Sequence, residues 1–135
     1  MTEVPAFEHL LRVPAAPESL GQVHELLTEL WRAASAVRPS DRVRFETAVA
    51  EIAANIAEHA AASGARHVEL RLRGLQDRVE AVFEDDGGPV APGPGGWPPD
   101  DAERGRGLEL ARAAADVLRY ERDGGRNRWV VVVVR

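Results

Sequence analysis

The sequence predicts an α/β (α+β) sandwich: a mixed, mostly antiparallel sheet with helices on one face. Three observations lead there. Residues 67–73 and 78–85 alternate apolar and polar side chains on either side of a short turn, and 17–34 and 45–61 place apolar residues at helical spacing. The order of elements, strand, two helices, hairpin, loop, helix, hairpin, lacks the regular alternation of a doubly wound sheet. At 135 residues, 44% hydrophobic and 29% charged, the chain can close one core, so a single domain over 1–135 is expected.

Each element follows from its residues. "HLLRVPA" reads as a brief first strand stopped by proline. In "PESLGQVHELLTELWRAA", Leu20, Val23, Leu27, Leu30 and Trp31 fall on one helical face, with Ser19 available as a cap. A second helix begins near Ser40 or Asp41, either of which can cap it, and runs through "FETAVAEIAANIAEHAA" to Gly64, a residue suited to a helix C-terminus. "HVELRLR" turns at "GLQD" into "RVEAVFED", a β-hairpin with Val68, Leu70, Leu72, Val79, Ala81 and Phe83 facing one way. Residues 89–104, "PVAPGPGGWPPDDAER", are too rich in proline and glycine for a helix or strand, and long loops of this kind inside compact domains are commonly functional. "GLELARAAADVL" reads as a third helix, and "RYERDGGRNRWVVVVVR" as a second hairpin turning at "DGG", its last strand apolar on both faces and so central or covered. Trp31 and Trp129 are read as core, and Trp97 as an anchor within the loop.

Composition narrows function. No stretch has the eighteen consecutive apolar residues of a membrane span, and the N-terminus lacks a signal-peptide pattern, so a cytoplasmic protein without membrane attachment is expected. The formal charge of −5 argues against direct nucleic-acid binding, and the lack of cysteine excludes thiolate chemistry. All 17 basic residues counted as Lys plus Arg are arginines, so phosphate has to be met by arginine, backbone N–H groups or a metal.

Three local patterns carry chemistry. On the second helix Phe45, Val49, Ile52 and Ile56 form a core stripe, and Glu51, Asn55 and His59 recur every four residues along its flank. Asparagine is a mediocre helix former, so Asn55 amid alanine and isoleucine is either a tolerated wet position or a chemical requirement. In "VFEDDGGPV" the strand phase sends Asp85 inward and Asp86 outward, and a buried carboxylate needs a specific donor; an adenine amino group would serve, with Gly87 and Gly88 letting a flat base approach. In "ERGRGLELARAAAD", Gly105 and Gly107 open a helix whose first N–H groups can face an anion, with Arg104 and Arg106 adding positive charge. Taken singly, each pattern has a plainer explanation: a solvated helix flank, an Asp-Gly turn, glycines ending a loop.

Together, E-x-x-x-N on a helix, D-x-G at a strand end and G-x-G-L opening a helix resemble the N box and glycine boxes of the GHKL ATPases, the Bergerat ATP-binding fold. The compact form, with "EIAANIAEHA", "EDDGGPV" and "GRGLELARAAAD", is most similar to the anti-sigma factor serine kinases of the RsbW and SpoIIAB type, and the resemblance covers the chain from about residue 8 onward. It implies that Asn55 coordinates Mg²⁺ bridging the ATP phosphates and that Glu51 is the general base. It further implies that Asp85 binds adenine with Gly87 in support, that Arg104, Gly105, Arg106, Gly107 and Leu108 wrap the phosphates, and that 89–104 is the ATP lid. Pro89 stands where the fuller D-x-G-x-G pattern has its last glycine. The implied activity is a serine/threonine-protein kinase acting on an anti-anti-sigma (STAS) partner and sequestering a sigma factor, with a possible homodimer. The alternative is a non-catalytic ATP-binding sequestration module. A detached histidine-kinase catalytic domain is a further one, disfavoured because no helix pair bearing a phospho-accepting histidine is visible.

Overall fold

The computed structural model describes residues 4–89 and 104–135. Strand β1 (Phe7–Pro14) leads through a 3₁₀ turn (Pro17–Ser19) into helix α1 (Leu20–Ala33), followed by α2 (Pro39–Ser63), β2 (His67–Gly74), β3 (Arg78–Asp85), α3 (Arg104–Ala114), β4 (Val117–Asp123) and β5 (Arg126–Val134). The sheet has the order β1-β2-β3-β5-β4, and every neighbouring pair is antiparallel, so the expected mixed character is not found among the described strands. Both hairpins lie where the turn residues put them. Gly124 and Gly125 have φ of 58° and 77°, the left-handed pair that a tight hairpin requires. In the first hairpin Leu75 N–H donates to the Arg78 carbonyl at 2.8 Å while the Leu75 side chain is buried.

Alternation sorts the strands into two faces. Val68, Leu70 and Leu72 on β2, Val79, Ala81 and Phe83 on β3, and Trp129, Val131 and Val133 on β5 are all buried, and they meet the apolar stripes of the helices. Those stripes are Val23, Leu26, Leu27, Leu30 and Trp31 on α1 and Phe45, Ala48, Val49, Ile52 and Ile56 on α2. Gly74 marks a close approach between layers, since a Cβ there would lie 3.0 Å from Leu30 Cδ1. Trp129 packs beside Tyr120 with ring centroids 4.8 Å apart, and Trp31 meets Phe45 edge-on at 5.9 Å, so both tryptophans are core, as expected. Strand β5 lies between β3 and β4, which accounts for its apolar run.

Several local expectations need correction. Ser19 does not cap α1; its hydroxyl donates to the Pro14 carbonyl at 2.7 Å and fixes the corner after β1. Neither Ser40 nor Asp41 caps α2, which starts at Pro39 after an extended Arg38. Asp41 instead sits buried in the first turn, where its carboxylate accepts from Arg38 Nε at 3.1 Å and Arg44 Nη1 at 3.2 Å. Gly64 does end α2, with φ of 78° and its N–H on the Ala60 carbonyl. The third helix stops at Ala114, four residues early, because Asp116 N–H turns to the Val132 carbonyl and Val117 and Leu118 pair with β5.

Arg44 ties this corner together. It donates to the Ala114 carbonyl at the end of α3, to Asp41 and, at 2.8 Å, to Asp116, whose other oxygen accepts the Val134 N–H. The Asp116 carboxyl is held below its ordinary range, first by the Val134 N–H and then by Arg44, and the Arg44 guanidinium is raised in turn by Asp116.

Candidate functional site

Helix α2, the end of β3 and the start of α3 supply the residues singled out by pattern. Asn55 projects from α2 at the margin of its apolar stripe and is 93% buried by the complement of its 7% exposure. Its amide makes no side-chain hydrogen bond to any described residue. The amide atoms are not among the fully buried polar atoms that lack a partner, so the amide keeps an opening through which water, an ion or a ligand can bond to it. Glu51, one turn earlier, is half-buried. Position 107 lies against it: a Cβ built on Gly107 would stand 2.7 Å from Glu51 Oε2. Helix α3 therefore approaches α2 at the carboxylate, at a point that tolerates no side chain unless the carboxylate moves. Leu108 is buried under the same helix, and Arg104, Gly105 and Arg106 belong to its first turn. On the opposite flank Glu51 lines a groove of about 400 Å³ between α1 and α2, together with Val23, His24, Leu27, Thr47 and Ala50.

Strand phase places Asp85 inward and buried, 4% exposed, and Asp86 outward. Asp86 accepts the Arg66 N–H at 2.9 Å, a bond that holds its carboxyl below the ordinary carboxylate range. The hydrogen bonds Asp85 receives from described residues all fall on Oδ1: Gly87 N–H at 2.8 Å and Asn127 Nδ2 at 3.0 Å. Oδ2 accepts from no described residue. Among the described residues one oxygen is anchored and the other has no donor.

Gly87 also has a packing reason. A Cβ on it would lie 2.6 Å from Ser63 Oγ and 3.0 Å from Ser63 Cβ, so the space is filled by the end of α2. Gly88 N–H donates to the Ser63 carbonyl at 2.6 Å and closes the same contact. The glycines let β3 turn tightly under the C-terminus of α2, which carries Asn55.

Asn127 is the residue that sequence reasoning missed. It is buried, stands directly across from Asp85 in the β3–β5 register, and also donates to the Gly88 carbonyl at 2.8 Å. A signal existed: extending the β5 alternation from Trp129 by two puts Asn127 on the inward face. The lid expected over 89–104, including Trp97, lies outside the described residues apart from its end residues Pro89 and Arg104. Among the described residues no three His, Asp or Glu side chains converge to hold a metal, and no helix is long and apolar enough to cross a membrane.

With this geometry in view, the family is defined by comparison. Residues 13–134 match the histidine kinase-like ATPase domain, and the chain belongs to that family. Its fold is shared with the crystal structure of the RsbU and RsbW domains of Rv1364c from Mycobacterium tuberculosis, at a TM-score of 0.61 and 21% identity over 94% of this chain. This chain spans only 33% of that one. A search of curated protein sequences finds no match.

Proposed function

We propose that this protein binds Mg²⁺ and ATP between α2, α3 and the end of β3, and that it passes the γ-phosphate to a serine of an anti-anti-sigma (STAS) partner while also sequestering a sigma factor. The observation that carries this reading is the Glu51 carboxylate lying against Gly107, because it puts an acid at the helix start where phosphates would sit. Nucleotide retention alone would not require that acid. The Asn55 amide, which bonds to no described residue, fits a metal ligand, and Asp85 Oδ2, which accepts from no described residue, fits the amino group of adenine. Bound Mg²⁺ would neutralise charge on the phosphate oxygens.

In this reading the acceptor serine reaches Glu51 from the α1–α2 groove, so the carboxylate stands between the two substrates. Glu51 takes the proton from the hydroxyl as that oxygen bonds to the γ-phosphorus; the bond from phosphorus to the bridging oxygen breaks, and ADP leaves. Positioning and charge neutralisation provide most of such catalysis. The test is transfer of label from radiolabelled ATP to the STAS partner. Glu51→Ala is expected to abolish labelling while leaving ATP binding in place. Labelling that persists in the variant refutes the role of Glu51, and ATP binding with no labelling by the wild type favours the sequestration module instead.

A further inference from the structure

We infer that Asn127 is the positioning residue of the base subsite: it pins one oxygen of Asp85 so that the other is presented to an exocyclic amino group of a nucleobase. This rests on the reading of Asp85 as the acceptor for adenine. The amide is held at both ends. Nδ2 donates to Asp85 Oδ1 at 3.0 Å and to the Gly88 carbonyl at 2.8 Å, with the Gly87 carbonyl further off at 3.4 Å. Oδ1 accepts from the Tyr120 hydroxyl and from Arg122 Nη1 at 3.0 Å. Turning the amide over would set its oxygen against a carboxylate and two carbonyls and its NH₂ against two donors, so the partners themselves fix the orientation.

Two consequences reach the ligand. First, Asp85 cannot swing about its own side chain without breaking bonds to both Gly87 N–H and Asn127, so Oδ2 keeps one direction. Second, the same amide gathers the carbonyls of the glycine turn, and Arg122 Nη1 reinforces this by donating to the Gly87 carbonyl at 2.9 Å. These acceptors are therefore turned onto Asn127 and Arg122, and Oδ2 is the acceptor left for the ligand. Asn127 touches no ligand in this scheme; it acts through Asp85.

A merely structural role for Asn127 would weaken all nucleotides alike, whereas a positioning role acts on the amino group. The measurement is the ratio of affinities for Mg·ATP and for purine riboside triphosphate, which lacks the 6-amino group, on the full chain. Wild type is expected to favour ATP about tenfold or more, since a hydrogen bond to a charged acceptor is at stake, and Asp85→Ala to lose that preference. Asn127→Ala is expected to lose most of the preference while binding purine riboside triphosphate within about threefold of wild type. Asn127→Ser and Tyr120→Phe, the second removing one of the donors that orient the amide, are expected to give intermediate ratios, and they decide the matter if circular dichroism shows Asn127→Ala unfolded. A folded Asn127 variant with the wild-type ratio, or with equal loss for both nucleotides, overturns the proposal. Wild type without any preference, or Asp85→Ala retaining it, overturns the reading of Asp85 and the proposal with it.

Discussion

Replacing Gly107 by alanine separates what the helix prefers from what the site requires. Glycine inside a helix is less favourable than alanine by about 1 kcal/mol, so on local grounds Gly107→Ala should stabilise the protein. The added Cβ, however, would stand 2.7 Å from Glu51 Oε2 and, among the described residues, has no other close neighbour apart from Glu51 Cδ at 3.8 Å. To regain an ordinary contact of about 3.4 Å, the oxygen has to retreat by about 0.7 Å. The atom in the way is the end of a flexible side chain, so the fold accommodates it and the carboxylate is what moves. A misplacement of about 1 Å in a reacting group can cost on the order of a hundredfold, so kcat for phosphate transfer is expected to fall about 10- to 100-fold with the melting temperature unchanged or raised. The companion measurement is the same substitution in a Glu51→Ala background. There the clash partner is gone, and Gly107→Ala should raise stability by about 1 kcal/mol, roughly 3 to 5 °C for a chain of this size. Thermal denaturation of the four proteins in this cycle, with turnover measured for the two that retain Glu51, tests both parts. Unaltered kcat in the single variant refutes the argument, as does a loss of stability that persists without Glu51.

Two further perturbations test the surroundings. Gly87→Ala should destabilise by about 1 to 3 kcal/mol, because its Cβ meets Ser63 at 2.6 and 3.0 Å, and Ser63→Gly should recover part of that loss; urea denaturation in which the second change recovers nothing would show that Ser63 is not the obstacle. The Asp116 carboxyl has a lowered pKa in the folded state, so its stabilisation is fully present above about pH 3.8, its ordinary value, and is lost as pH falls through the lower folded value. Asp116→Asn should therefore cost a few tenths to about 1 kcal/mol at pH 7, discounted because both partners are more than a third exposed, and progressively less as the pH falls below 3.8; a cost that does not shrink over that range would assign the effect to packing.

How much of this was readable from the residues depended on whether one element or several decided the outcome. Asp85 was placed inward by alternation alone, and the Gly124–Gly125 turn by the demand for positive φ; both are local facts, and both hold. Asn55 was conspicuous because asparagine is unfavourable within a helix, yet that it bonds to no described residue emerges only once neighbouring elements are in place. The caps failed because stronger partners lay nearby: Ser19 bonds back to the end of β1, and Asp41, already inside the first turn of α2, meets arginines three residues to either side. The early end of α3 was hidden because "ADVL" fits a helical and an extended pattern equally, and the hydrogen bonds from Asp116 N–H and to its carboxylate decide between them. Gly87 was noticed for the space it leaves, and its contact with Ser63 appears only once α2 is packed beside it. Asn127 required the register between β3 and β5, which brings it across from Asp85, 42 residues away in sequence.

That register also governs when the protein can work at all. Strand β5 comes after every other element in the chain but takes a place between β3 and β4, so the sheet cannot close until Arg126–Val134 have left the ribosome. Until then Asp85 has no Asn127 across from it, and the Gly88 carbonyl lacks its donor. Contacts of such long sequence separation form late and slow the folding of a domain. On the proposed reading a growing chain would thus bear a finished Asn55 helix and an unfinished base pocket, so nucleotide could reward only the complete fold and could not guide its early steps.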